Sequence, residues 1–238
     1  MEGSGCRAMS VWWEVEDALE SIIGDYERVN PVISFFQDDK ARRKGLEKAG
    51  NWTGVGLELG SGPGNFTPML CEALDGPLVC LDYSERMLKV GRARNGEHGV
   101  GFVRAVFEAL PFREGIMSFA AGAYALRDTP EKERALEEIS FALKEGGGLL
   151  VVDIGRPNNW LVRKGLSLYI RFIVPAIGGA IAGYGYRNPW SLLHRTYLSL
   201  PVNRDYEGMM ADIIGGADLD ELALGGLIVA TAVKGSAA

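Results

Sequence analysis

The sequence has little cysteine and no excess of positive charge. Its three cysteines, Cys6, Cys71 and Cys80, are scattered and form no C-x-x-C pair, so neither a disulfide framework nor a metal site is expected. A net charge of −6 argues against nucleic acid as a partner. The N-terminus lacks a basic stretch followed by an apolar run, so no targeting segment is expected and a cytoplasmic location is predicted.

The sequence also lacks a long uninterrupted apolar run. Its most apolar stretch, residues 166–184, contains Arg171, and we expect Pro175 and the glycines there to break its helix. The uninterrupted part at 172–183 is shorter than the roughly 20 residues of a membrane-spanning helix. Two interpretations stay open: buried core helices, or a cover that contacts an apolar substrate, the surface of a membrane or a second subunit of a homodimer.

What the chain does have is an alternation of strands and helices. Strands are predicted at 55–60, 77–81, 100–106, 117–123, 149–154, 219–224 and 227–233, and helices at 10–23, 26–37, 66–73, 84–93, 131–144 and 206–214. This alternation predicts an α/β fold with a Rossmann-like, doubly wound, mainly parallel sheet of about seven strands. We expect one domain over 1–238, with an N-terminal helical cover at 1–50 and a helical substrate-side insertion at 158–204.

A glycine loop follows the first predicted strand. The segment ELGSGPGN contains Gly60, Gly62 and Gly64. Without a Cβ, glycine allows a tight turn and a close approach to a ligand. A dinucleotide fingerprint would place its third glycine at position 65, where the chain has Asn65, so a nicotinamide dehydrogenase is disfavoured.

Two acids accompany this loop. Glu58 would repel the pyrophosphate of NAD, but it suits the ammonium and sulfonium cations of S-adenosylmethionine. Asp82 closes the second strand, where a carboxylate accepts ribose hydroxyls. The residues therefore favour S-adenosylmethionine as the cofactor. The alternative is that both acids lie on the surface at strand ends and the glycines only turn the chain.

Several segments together resemble one known family. They are YERVNPVISF at 26–35, ELGSGPGNFT at 58–67, LDYSERML at 81–88, EALPF at 108–112, ALRD at 125–128 and LKEGGGLLVVDIGRP at 143–157. In this order and spacing they resemble the ubiquinone/menaquinone-biosynthesis C-methyltransferases, which are class I S-adenosylmethionine methyltransferases. The resemblance implies C-methylation of a prenylated quinol, such as a demethylmenaquinol.

The resemblance also implies further contacts to S-adenosylmethionine. Thr67 would contact it beside the glycine loop, Asp82 would bind its ribose, and Val106 and Phe107 would flank its adenine. Val106 stands where the family usually has Asp or Asn, and Ser118 where it usually has Asp. These departures leave open a non-catalytic regulator that binds S-adenosylmethionine without transferring its methyl group.

One cation is a candidate for catalysis. C-methylation of a quinol ring passes through a phenolate that the site must stabilise. Arg127 follows the fourth strand and matches the family's arginine, so it could stabilise the phenolate or orient a water base. The alternative for Arg127 is a salt bridge to Asp128 or Glu131.

Three residues are candidates for binding the acceptor. Tyr26 and Asn30 would line its pocket if the N-terminal helix folds over the cleft. Trp190 would supply an aromatic ring within segment 188–201, which matches the family's pattern poorly. Because that segment departs from the family, a different small-molecule or lipid acceptor, methylated on oxygen or nitrogen, also stays open.

Overall fold

The computed structural model describes residues 20–21, 23–185 and 188–235, except for the side chain of Tyr26. The helix predicted at 10–23 lies almost wholly outside these residues. A long sheet organises the rest, with strands β1 (Gly56–Leu59), β2 (Leu78–Asp82), β3 (Gly101–Arg104), β4 (Met117–Ala123), β5 (Leu143–Ile154), β6 (Gly215–Leu222) and β7 (Leu227–Lys234).

The strand order is β3-β2-β1-β4-β5-β7-β6. Strands β1 to β5 are parallel, whereas β7 runs antiparallel to both β5 and β6. This confirms the predicted seven-stranded, mainly parallel sheet. The order reverses between β1 and β4, and in such sheets a ligand crevice forms at the carboxyl ends of the strands on either side of the reversal.

Helices cover both faces of this sheet. They are α1 (Tyr26–Ile33), α2 (Asp38–Ala49), α3 (Thr67–Ala73), α4 (Glu85–Asn95), α5 (Lys132–Ala142), α6 (Trp160–Leu168), α7 (Val174–Ala182), α8 (Leu193–Ser199) and α9 (Asn203–Ile213). In β5, Leu149 and Val151 pack toward α5 and α9, while Leu150 and Val152 pack toward α2 and α3. Both faces of β5 are therefore buried, as is usual for parallel strands.

Several predicted boundaries are wrong, mainly where the backbone turns left-handed. Helix α1 ends at Ile33 because Phe35 and Phe36 adopt φ values of 53° and 57°, and α2 then begins separately. Strand β6 covers Gly215–Leu222, and Ala223 follows it with a φ of 48°. Strand β3 ends at Arg104, two residues early, which leaves Val106 in a loop.

The glycines at 146–148 do not separate helix α5 from its strand. Strand β5 already begins at Leu143 and contains them. A Cβ on Gly148 would lie 2.3 Å from Cζ2 of Trp52, so the glycine lets this indole pack flat against the strand. A glycine can be required in a strand because a neighbouring ring packs closely against it, and the periodicity of the sequence does not show this requirement.

The helix break predicted at Pro175 is also wrong. Helix α6, a π-helical turn at Tyr169–Ile173 and α7 form one continuous segment, Trp160–Ala182. The N–H of Val174 bonds to the carbonyl of Tyr169, five residues back, and this wider turn accommodates a proline, which has no N–H. Among the described residues, this segment alone has the length and hydropathy of a membrane span.

Candidate functional site

The glycine loop shapes a cleft at the carboxyl ends of β1 and β2. Gly60, Gly62 and Gly64 all have positive φ values, of 65°, 53° and 86°. A Cβ on Gly60 would lie 2.4 Å from Cβ of Ala125, two residues after β4, so only glycine fits there without displacing its neighbour. The loop is thus held close to the strand end across the crevice.

Asn95, at the end of α4, holds the far side of this loop. Its Nδ2 donates to the carbonyl of Gly64 at 2.9 Å, and a Cβ on Gly64 would collide with that amide. Asn95 is buried, so its bond to the loop is shielded from water. Sequence reasoning missed this residue because a lone asparagine in a helix carries no motif.

Glu58 is a buried acid at the end of β1. Only 1% of the residue is exposed, and its Oε2 accepts hydrogen bonds from Thr67 Oγ1 (2.6 Å) and Cys80 Sγ (3.3 Å). Burial raises the pKa of Glu58 to about 7, although the hydrogen bond from Thr67 counteracts this. The alternative interpretation of Glu58 as a surface acid is therefore wrong. Glu58 is also one of the residues that line the cleft.

Thr67 takes a different place from the predicted one. Its side chain is fully buried, and its hydroxyl donates to Glu58 behind the cleft wall. Thr67 is not among the residues that line the cleft. The structure therefore places it where it positions Glu58, which replaces the expected direct contact with the cofactor.

Asp82 ends β2 at the same edge of the sheet. Its Oδ2 accepts from the N–H of Gly62 at 2.8 Å, and its Oδ1 accepts from the N–H of Ser84 at 2.9 Å. Burial raises the pKa of Asp82, while the backbone N–H groups counteract this. Asp82 also lines the cleft, so its carboxylate can accept from a ligand hydroxyl as well.

Val106 and Phe107 form another side of the cleft. Both line it from the loop after β3. Phe107 is at the same time buried in the main hydrophobic core. The two interpretations of Phe107, as core residue and as cofactor neighbour, are therefore compatible.

A second, apolar pocket of about 320 Å³ lies beside the cleft. Its volume falls within the range of small-molecule sites. Asn30 and Trp190, two of the candidates for binding the acceptor, are among its lining residues, together with Leu166, Tyr169, Ile170 and Val174 of the helical segment. The side chain of Tyr26 lies outside the described part of the chain.

The pocket and the cleft share one wall, formed by Arg42, Tyr124, Arg127 and Asp128. Tyr124 directly follows β4 and has a φ of 60°, a strained conformation of the kind that is concentrated at functional sites. The guanidinium of Arg42 lies 5.0 Å from the Tyr124 ring. A ligand in either space would contact the same side chains.

Arg127 is clamped within this wall. Its Nη1 and its backbone N–H donate to Asp153, at 3.2 and 3.0 Å, and its Nε lies 3.5 Å from Oδ1 of Asp128. The predicted salt bridge to Asp128 is present, and Asp153 is a further partner that the sequence did not indicate. Burial raises the pKa of Asp128, although Arg127 counteracts this.

Comparison with known proteins identifies the chain. The profile of the ubiE/COQ5 methyltransferase family matches residues 9–234. The chain belongs to this family. A demethylmenaquinone methyltransferase of Lactococcus lactis subsp. lactis (strain IL1403) is 32% identical over 174 residues, which cover 71% of this chain and 69% of that protein. A ubiquinone/menaquinone biosynthesis C-methyltransferase of Hahella chejuensis (strain KCTC 2396) is 30% identical over 175 residues, covering 71% and 70%.

Solved structures agree with this family assignment at the level of the fold. A Thermotoga maritima protein, described as a SAM-dependent methyltransferase and possible histamine N-methyltransferase, has a TM-score of 0.65 at 18% identity and covers 92% of this chain and 99% of its own. Phosphoethanolamine N-methyltransferase 2 of Haemonchus contortus, solved with S-adenosyl-L-methionine, has a TM-score of 0.61 at 15% identity, over 85% and 43%. At these identities the likeness shows the fold alone.

As a member of this family, the chain is an S-adenosylmethionine-dependent methyltransferase, and its cleft fits that cofactor. A Cβ on Gly60 would lie 2.4 Å from Cβ of Ala125 and 3.1 Å from Cζ of Phe107, so glycine keeps the loop close to two residues that line the cleft. Glu58 and Asp82 supply two acids, one suited to an ammonium group and the other to ribose hydroxyls. Among the described residues, no group of His, Cys, Asp and Glu side chains could hold a metal ion.

Proposed function

We propose that this enzyme transfers a methyl group to a ring carbon of a prenylated quinol of the demethylmenaquinol type. One observation carries the proposal: an apolar pocket of about 320 Å³ meets the cofactor cleft at a shared wall that contains a buried ion pair. The names of the two relatives, a demethylmenaquinone methyltransferase and a ubiquinone/menaquinone biosynthesis C-methyltransferase, support the same acceptor class.

The cleft residues divide the work of binding the donor. S-adenosylmethionine supplies an electrophilic methyl group on its sulfonium. Glu58 binds the ammonium of its methionine end, and Asp82 accepts hydrogen bonds from its ribose. Val106 and Phe107 pack against its adenine. Most of the rate enhancement then comes from holding donor and acceptor in line and excluding water.

Residues of the shared wall remove the hydroxyl proton of the acceptor and stabilise the phenolate. Asp128 accepts the proton of a quinol hydroxyl; burial raises the pKa of this carboxyl, which makes its carboxylate a stronger base. Arg127, held by Asp153, stabilises the phenolate that results. The negative charge would make the neighbouring ring carbon the nucleophile. Methyl transfer would leave S-adenosylhomocysteine, and loss of the ring proton to water would restore aromaticity.

The apolar pocket holds the ring and the first part of its tail. Trp190, which is buried, and Asn30 contact the ring, and Tyr26 remains a proposed neighbour on α1. A polyprenyl tail dissolves in lipid and not in water, so the enzyme meets its acceptor at a membrane surface. This makes a peripheral position on the cytoplasmic side the expected location.

An acceptor panel tests the proposed function. The enzyme is incubated with S-adenosylmethionine and a short-chain demethylmenaquinol, and the products are separated by chromatography. We expect turnover of the demethylated quinol and none of the corresponding menaquinol, whose ring carbon already carries the methyl group. Turnover of both compounds would indicate methylation on oxygen, and binding without turnover of any acceptor would support a regulator.

Two substitutions test the proposed division of roles. Trp190→Ala should raise KM for the quinol and leave the Kd of S-adenosylmethionine unchanged, because Trp190 lines only the apolar pocket. Asp82→Ala should raise the Kd of S-adenosylmethionine and leave KM for the quinol unchanged. If both variants changed the same constant, the assignment of the two spaces to two ligands would be wrong.

A further inference from the structure

The insertion between β5 and α9 is strongly basic in an otherwise acidic chain. From Ile154 to Arg204 the sequence contains no Asp or Glu and seven Lys or Arg, a net charge of +7. The other residues hold 18 Lys or Arg and 31 Asp or Glu, a net charge of −13. The cations are spaced too widely along this stretch to form a run.

The segment Trp160–Ala182 has two different faces. Leu166, Tyr169, Ile170 and Val174 line the apolar pocket. The opposite side exposes Trp160, Leu161, Leu168 and Phe172, each with between 45 and 61% of its surface accessible; we call these four residues the docking face. Leu161, Leu168 and Phe172 follow at helical spacings of seven and four. Only 28% of the segment's most apolar window is buried.

Two cations lie on the same side as the docking face. Lys164 and Arg171 are exposed, and the Arg171 guanidinium lies 5.2 Å from the ring of Phe172. Apolar residues flanked by Lys and Arg are the composition of helices that lie in the headgroup region of a bilayer, where acyl chains and anionic headgroups are both within reach.

The segment is tied to the rest of the molecule along its length. The hydroxyl of Tyr169 donates to the carbonyl of Ile33 at 2.9 Å, and Arg28 donates to the carbonyl of Ile181 at 3.0 Å. Gly178 lies against the ring of Trp190, where a Cβ would approach to 2.7 Å. Crossing a bilayer would break these contacts, so the segment is built to lie along a surface.

We propose that the docking face binds an anionic lipid bilayer and holds the apolar pocket against it, so that the quinol enters from the membrane. The entry of the quinol from the membrane rests on the proposed function with a prenylated acceptor. Binding of the docking face to lipid does not depend on that acceptor. Leu166 and Tyr169 separate the docking face from the pocket by the width of one helix. The tail of an acceptor in the pocket therefore has a short path to the lipid.

The charge distribution argues against a second copy of the chain as the occupant. A twofold interface brings the same surface patch of both subunits together. Lys164 and Arg171 of both copies would then face each other, and residues 154–204 contain no acid to offset them. An anionic membrane supplies the opposite charge.

Co-sedimentation with vesicles tests the proposal. The purified full chain is mixed with vesicles of phosphatidylcholine, or of phosphatidylcholine with about one third phosphatidylglycerol. We expect sedimentation with the anionic vesicles, weakened by salt, and little with the neutral ones. The double variant Leu168→Glu, Phe172→Glu should lower the bound fraction about tenfold or more, because two apolar contacts become anions.

Phe141→Glu is the matched control. Phe141 is 49% exposed, but it lies at the end of α5, next to the amino-terminal end of β5 and so at the opposite edge of the sheet. This variant should sediment like the parent chain. Equal sedimentation of the docking-face variant, or equal binding to neutral vesicles, would overturn the proposal. So would a dimer in sedimentation equilibrium that the docking-face variant abolishes.

A second readout separates this proposal from the proposed function. The docking-face variant should methylate a soluble short-chain quinol at the parental rate and a long-chain quinol in anionic vesicles at least several-fold more slowly. Vesicle binding without turnover of either quinol would overturn the acceptor and keep the docking face. Equal turnover of the vesicle-borne quinol by both proteins would overturn the docking face as the route of entry.

Discussion

The pKa of Glu58 predicts how tightly the enzyme holds S-adenosylmethionine at different pH values. Burial raises that pKa to about 7, so in the ligand-free enzyme the group titrates near neutral pH. Only the ionised carboxylate attracts the cofactor's ammonium. Lowering the pH below 7 should therefore weaken binding.

The expected magnitude follows from the fraction of ionised carboxyl. With a pKa of about 7, roughly one Glu58 in eleven is ionised at pH 6 and about ten in eleven at pH 8. The apparent Kd of S-adenosylmethionine should therefore fall about tenfold between pH 6 and pH 8. At pH 7, binding should release about half a proton, because the ammonium favours the ionised form.

Calorimetric titration measures both quantities. The Kd is determined from pH 6 to pH 8, and at pH 7 the heat is compared in two buffers of different ionisation enthalpy to count the released protons. Glu58→Gln keeps the shape of the side chain but cannot ionise. It should bind roughly 10- to 150-fold more weakly at pH 8, equivalent to about 1.5–3 kcal/mol for a charged hydrogen bond, with no tenfold pH dependence.

Stability should show the opposite dependence on pH. The folded protein holds the proton of Glu58 up to about pH 7, whereas the unfolded chain loses it near 4.5. The unfolding free energy without cofactor should therefore fall as pH rises through this window, by up to about 3 kcal/mol, and Glu58→Gln should remove that part of the fall. A parental Kd that does not change between pH 6 and 8 would refute the assigned role of Glu58.

Three further substitutions follow from the site. Asp82→Ala should weaken S-adenosylmethionine binding at least about tenfold in calorimetry, because hydrogen bonding to the ribose is lost; an unchanged Kd would refute the ribose assignment. Gly60→Ala should lower the unfolding free energy, measured with urea, by about 1–3 kcal/mol more than Gly62→Ala. Both glycines have a positive φ, but only at Gly60 would the new Cβ also clash with a neighbouring residue. Equal losses in the two variants would contradict this. Asp128→Asn should slow methyl transfer about 100-fold or more with the cofactor Kd unchanged; a parental rate would remove Asp128 as the base.

Much of the fold was predictable because it follows from local pattern. Parallel strands buried on both faces are continuous apolar runs, and the glycine loop marks the first strand-to-helix turn. Ser84, where the predicted helix 84–93 starts, is the N-cap of α4, and its side chain accepts from the N–H of Met87. The order of strands along the chain also limits the topology to a few arrangements.

The errors arose where tertiary contacts override local preference. Pro175 predicts a break, but the preceding π turn and the packing of the helix on Trp190 keep the segment continuous. Thr67 lies next to the glycine loop in sequence, yet its hydroxyl turns inward to Glu58. Asp153 holds Arg127 across 26 residues of chain, a contact that spacing alone cannot indicate.

The most direct test of the central claim is to locate the transferred methyl group. The enzyme is supplied with S-adenosylmethionine carrying a ¹³C-labelled methyl and a short-chain demethylmenaquinol, and the product is analysed by NMR. We predict a labelled methyl bonded to a ring carbon, with a matching loss of the ring proton. A labelled methyl on a quinol oxygen, or cofactor binding with no labelled quinol, would contradict the claim.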